Sequence, residues 1–183
     1  NSRVIITATL GSTWRPGASR DAARETTLST TSSNDEPDRG VTLGHGPVVV
    51  GVDGSRNAQR ALALAADLAR RLDTDLVVFH ALGLMTVIEG RHVPSEGHRD
   101  DIERLLRNEW CHPLQGDPSL RWRAEIVYGS PADVLLGMGR DLDASFVVVG
   151  SRGIGDELAL GSTSHHVVHH CDRPVVVVPP LTR

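Results

Sequence analysis

Five short apolar runs punctuate the chain, separated by segments whose apolar residues recur every three or four positions. The runs are Val48–Val52, Leu76–Phe79, Ala124–Val127, Phe146–Val149 and Val175–Val178. Four are almost unbroken and rich in valine, the pattern of strands covered on both faces of a parallel sheet. Only Ala124–Val127 alternates, with Glu125 inside it. After the first run, Ser55 stands as an N-cap. Ala58, Ala61, Leu62, Ala65, Leu68, Ala69 and Leu72 then form one helical stripe. A second helix is expected after Ser95, with Ile102, Leu105 and Leu106 facing inward. A third opens at Ser130–Pro131, a cap followed by proline in the first turn, and buries Val134, Leu135 and Met138. A fourth follows Gly161–Ser162. The order β-α-β-α-β-α-β-α-β predicts an α/β fold, a five-stranded doubly wound parallel sheet with helices on both faces.

Residues 1–45 break this rhythm. The stretch from Glu25 to Asp38 is polar and rich in Ser and Thr, so residues 1–45 read as a disordered or loosely ordered arm before a domain at 46–183. Five arginines there balance five acids, which is not a basic nucleic-acid tail. Trp14 in that arm reads as incidental. The apolar stretch Val4–Leu10 is interrupted by threonines and is too short and polar for a signal core or a membrane span. The chain opens on Asn rather than Met, which leaves its true start open.

Composition narrows the chemistry. All 19 basic residues are arginine. Without lysine there is no Walker A loop and no Schiff-base chemistry. A net charge of −4 argues against general nucleic-acid binding. Two cysteines, Cys111 and Cys171, make no disulfide framework and fit a reduced, cytoplasmic setting.

In open sheets of this kind, ligands bind beyond the carboxyl ends of the strands, where strand order reverses. The residues there are Asp53-Gly54-Ser55, Ala81-Leu82-Gly83, Gly129-Ser130 and Gly150-Ser151-Arg152-Gly153. Ser162, Thr163 and Ser164 open the fourth helix, whose backbone N–H groups favour an anion, with phosphate the obvious guest. A dinucleotide fingerprint would need Gly-x-Gly-x-x-Gly after the first strand, and this chain offers only Gly51-x-x-Gly54. Plain structural readings stand beside these: Asp53-Gly54-Ser55 as a capped turn, Gly150–Gly153 as an empty tight turn, Arg152 as a solvated surface residue.

Three segments together resemble the universal stress protein family, over roughly residues 46–180. They are Val48-Val-Val-Gly-Val-Asp-Gly-Ser55; Gly129-Ser-Pro-Ala-Asp-Val-Leu135 leading into Asp143-Ala-Ser-Phe-Val-Val-Val-Gly-Ser-Arg-Gly153; and Gly161-Ser162 with a helix, then Arg173-Pro-Val-Val-Val-Val-Pro179. The resemblance implies a Rossmann-like fold of the adenine nucleotide alpha hydrolase type and a regulatory module for stress adaptation. It also implies that the module binds ATP or a related adenine nucleotide, hydrolysing it slowly at most. By position, Asp53 would lie near the ribose, and Gly51, Val52 and Ala81 would border the adenine. Val149 and Gly150 would lie under the nucleoside. Arg152, Gly153, Gly161, Ser162, Thr163 and Ser164 would face the phosphates. The family's nine residues between Gly-x-x-Gly and Gly-Ser are seven here, Ile154–Leu160, which shortens the loop expected to wrap the phosphates. Mg²⁺ would accompany the nucleotide if Asp156 or Glu157 bears on it.

The resemblance further implies a homodimer pairing through Val175–Val178, whose apolar edge would otherwise be an aggregation hazard. The alternative is a dimeric interaction module of the same fold that binds no nucleotide. Ser151 and Ser162 have no His–Asp partners at motif spacing, so a hydrolase triad is not indicated. In His165-His-Val-Val-His-His170, four histidines share the polar face of a helix as two i, i+4 pairs. Such pairs are able to chelate Zn²⁺, Ni²⁺ or Cu²⁺, yet the expected reading is a solvated face with no metal. Cys171 falls on the inner face.

Overall fold

The computed structural model describes residues 5–7, 44–83, 85–88, 91–94, 97–152 and 160–180. Each apolar run becomes a strand: β2 (Val48–Gly51), β3 (Leu76–Leu82), β6 (Trp122–Tyr128), β7 (Phe146–Gly150) and β8 (Val175–Val178). They form a parallel sheet in the order β8-β7-β2-β3-β6. The sequence expectation of five doubly wound parallel strands therefore holds.

Two additions were not legible. Ile5–Thr7 (β1), within the segment read as an arm, pairs in parallel with Val175–Val177 of β8 and makes a sixth strand. The edge expected to be open for dimer pairing thus carries a strand of the same chain. The physical reason is that β8's outward N–H and C=O groups accept any extended segment within reach. Met85–Ile88 (β4) and Arg91–Pro94 (β5) form a separate antiparallel hairpin after β3. Ser95 lies outside the described residues.

Side-chain alternation divides the core in two. Val48, Val50, Leu76, Val78, Val148 and Val176 pack with the alanine face of α1 (Arg56–Leu72) and with Leu106 and Leu114. Val49, Val77, Phe79, Val147, Val149, Val175 and Val177 pack on the opposite side with α3 (Pro131–Asp141) and Val167 of α4 (Ser162–His170). Helix α1 begins as expected, with Ser55 Oγ accepting from Ala58 N–H at 3.1 Å. Its stripe differs from the expected one: Ala66 is buried, Leu68 is half-buried and Leu72 is exposed. Helix α2 (Arg99–Leu105) continues into a wider π-helical turn, Leu106–Trp110; Ile102 and Leu106 are buried and Leu105 is only partly buried. Helix α3 opens on Ser130, whose hydroxyl accepts from Asp133 N–H at 3.2 Å.

Candidate functional site

The strand order reverses between β2 and β7, so the crevice expected to take a ligand lies beyond Gly51 and Gly150. Past β2 the chain turns sharply. Asp53 Oδ1 accepts from Ser55 N–H at 2.9 Å, and Gly54 adopts φ +80°, a left-handed conformation that glycine enters without a Cβ penalty. The strand ends are closely packed. A Cβ on Gly150 would lie 3.2 Å from the Asn57 backbone in the first turn of α1, and one on Gly51 would lie 3.2 Å from the Phe79 ring. Both positions are therefore tightly packed, and a side chain at either would make its neighbour shift by a few tenths of an ångström. Val52 and Val149 are buried supports on opposite faces of the sheet, and Ala81 is half-buried on β3.

On the other side of the crevice, β7 is tied to the start of α4. Ser151 C=O accepts from Gly161 N–H at 2.7 Å and from Ser164 Oγ at 2.9 Å. Ser164 also donates to Gly161 C=O at 3.0 Å. This hydroxyl was expected to face phosphate, but it is buried and held by two internal carbonyls. Its position one turn into the helix turns it toward β7, leaving only the Ser164 N–H at the helix end. Ser162 is exposed and Thr163 half-buried. Helices α1 and α3 each receive a side-chain cap, whereas α4 has Gly161 at its N-cap and no side-chain bond there. Its first N–H groups are the donors that an anion satisfies. Beside them are two buried polar atoms with no hydrogen-bond partner among the described residues, Ser151 Oγ and Arg152 Nε. Ser151 is 3% exposed, and such a group costs about 1–3 kcal/mol if nothing ever pairs with it. Gly153, Asp156 and Glu157 lie outside the described residues, as does most of the shortened loop.

Two residues near this mouth escaped the sequence reading. His80, on β3 beside Ala81, donates from Nδ1 to Val52 C=O at 2.8 Å. Burial pushes its pKa below the ordinary histidine value, although the Val52 carbonyl and the Asp53 charge pull the other way. Its ring meets Trp110 edge-on, with centroids 5.1 Å apart. The Trp110 indole in turn covers Gly54. An aromatic wall thus stands over the turn that carries Asp53. One signal was available for each: a histidine inside the apolar run of β3, and a tryptophan in a chain with 3% aromatics.

The assembled crevice belongs to the class of α/β domains that present a helix N-terminus and a strand-end turn to a ligand at a topological switch point. The universal stress protein family model matches residues 45–179, and the chain belongs to that family. It is 34% identical over 140 residues to universal stress protein Rv1996 of Mycobacterium tuberculosis (strain ATCC 25618 / H37Rv), across 73% of this chain and 44% of that protein. It is 32% identical over 135 residues to universal stress protein Rv2005c of the same strain, across 73% of this chain and 45% of that protein. The chain therefore spans less than half the length of these curated relatives. Among solved structures it is similar to a universal stress protein in complex with cAMP, at 25% identity and a TM-score of 0.59, covering 74% of this chain and 98% of that one.

Proposed function

We propose that this domain is an adenine-nucleotide-binding regulatory module of the stress response. The observation that carries the reading is the uncapped start of α4 beside the unpartnered Ser151 Oγ and Arg152 Nε. Phosphate oxygens are the acceptors that suit each of these donors: the N–H groups of Ser162, Thr163 and Ser164, the Ser151 hydroxyl, and the Arg152 guanidinium. The lysine-free composition is no obstacle to such a cradle. Asp53 takes the ribose, and the base lies against Gly51, Val52 and Ala81 with Trp110 and His80 at the rim. Val149 and Gly150 floor the site, and Gly153 and Gly161 allow close backbone approach. Mg²⁺ accompanies the phosphates. A related structure holding cAMP supports the class of ligand.

Calorimetric titration with ATP, AMP and cyclic AMP in the presence of Mg²⁺ tests this. At least one is expected to bind below millimolar concentration, and Gly161→Asp to abolish that binding by adding charge and bulk where the backbone must approach. Failure of all three nucleotides would sink the reading. The second reading, an interaction module that binds no nucleotide, is favoured by one observation: the close packing around Gly51 and Gly150 gives both glycines a structural role that needs no ligand. In either reading, a homodimer through Val175–Val178 competes with β1 for the same backbone groups. Sedimentation velocity should then show stronger self-association when residues 1–43 are removed; unchanged association would place any dimer contact elsewhere.

A further inference from the structure

The least explained feature outside the crevice is the outer face of α4. His165, His166, His169 and His170 are all exposed, while Ser164 and Val167 on the opposite face are buried. The rings pair along the helix: His165 with His169 at 4.5 Å between centroids, His166 with His170 at 4.1 Å. We propose that this face is a metal site, in which each i, i+4 histidine pair chelates one borderline divalent transition cation such as Ni²⁺, Cu²⁺ or Zn²⁺.

Three observations support this. Imidazole nitrogens bind such ions at about 2.0–2.1 Å, so a chelating pair must bring its nitrogens within about 4.2 Å of each other. Ring centroids 4.1 and 4.5 Å apart place the two rings of each pair within that span, and rotation of the exposed His165 and His166 rings about χ2 turns a nitrogen toward the partner ring without disturbing His170. Second, His170 Nδ1 lies 2.8 Å from the His166 carbonyl oxygen. A carbonyl only accepts, so Nδ1 carries the proton and the lone pair is on Nε2, facing away from the backbone. Metal-binding histidines are commonly held in this way, with the second ring nitrogen donating to a carbonyl. Third, His169 and His170 lie in the last turn of α4, where the helix dipole favours positive charge. Among the described residues no group of three or more His, Cys, Asp or Glu converges on one point. Water therefore completes each coordination sphere, and the site is open and exchangeable. It shares α4 with the nucleotide cradle but uses none of its residues.

The test is calorimetric titration of the untagged full chain with NiCl₂ at pH 7.5, without nucleotide. The wild type should bind two equivalents. His165→Ala/His169→Ala and His166→Ala/His170→Ala should each bind one, and the fourfold variant none at these sites. Single His170→Ala should weaken its own site at least tenfold, because a chelate becomes a single ligand. Ni²⁺ should also raise the melting temperature of the wild type and leave that of the fourfold variant unmoved. Circular dichroism checks that the variants fold, as expected for exposed histidines replaced by a strong helix former. A fourfold variant that binds Ni²⁺ like the wild type would overturn the proposal. So would a His170→Ala isotherm identical to the wild type.

Discussion

Gly54 is the position where backbone conformation and the site's aromatic wall meet, and its replacement by alanine separates their contributions. At φ +80° a Cβ costs about 1–2 kcal/mol relative to a right-handed conformation. Reduced freedom of the unfolded chain offsets about 0.4–1 kcal/mol of that. Gly116 has nearly the same backbone, φ +78°, with nothing within 4 Å of its added Cβ, so Gly116→Ala measures this backbone balance alone. At Gly54 the new methyl would sit 2.8–2.9 Å from Cε2, Cζ2 and Nε1 of Trp110. The indole is wedged between this turn and His80, so it yields only by moving off both. Overpacking of this kind costs about 1–3 kcal/mol. Urea unfolding followed by far-ultraviolet circular dichroism should show Gly54→Ala destabilised by about 1–3 kcal/mol more than Gly116→Ala. In the Trp110→Ala background that excess should vanish, a coupling readable as a double-mutant cycle. Equal destabilisation at the two glycines, or an excess that survives removal of Trp110, would refute the packing of Trp110 on this turn.

Other consequences follow from buried groups. His80 is held neutral by burial, so its folded pKa lies below its unfolded value of 6.5. The unfolded chain then takes up the proton first. The contribution of neutral His80 is complete above pH 6.5 and is lost as pH falls through the folded pKa. His80→Gln, which keeps a donor for Val52 and does not titrate, should flatten the stability profile below pH 6.5; an unchanged slope would remove His80 as its source. Burial pushes the Cys111 thiol up to about 11 and raises that of Cys171. Neither should react with a thiol reagent at pH 8 in the folded chain, and both should react in denaturant. Phe79, 1% exposed, packs in the α3 side of the core and against Gly51. Phe79→Ala should cost about 3–5 kcal/mol by chemical denaturation, and less than about 1 kcal/mol would show that the site collapses freely.

What the sequence determined by itself is local. Valine runs buried on both faces declare parallel strands, and the alanine stripe of α1 and the Ser55 and Ser130 caps declare helices, because period and capping are written in neighbouring residues. The motifs at Val48–Ser55, at Gly129–Leu135 leading into Asp143–Gly153, and at Gly161-Ser162 with Arg173–Pro179 carried the family for the same reason. What only the tertiary structure decided depends on contacts between distant segments. It put Ile5–Thr7 on the edge of β8, since an open strand edge pairs by backbone groups that have no side-chain signature. It turned the Ser164 hydroxyl inward onto Ser151, a consequence of where α4 docks on β7. It brought Trp110 across to Gly54 and His80, contacts between segments far apart in the chain. And it left Ser151 Oγ and Arg152 Nε buried beside an uncapped helix end, which no spacing in the chain announces.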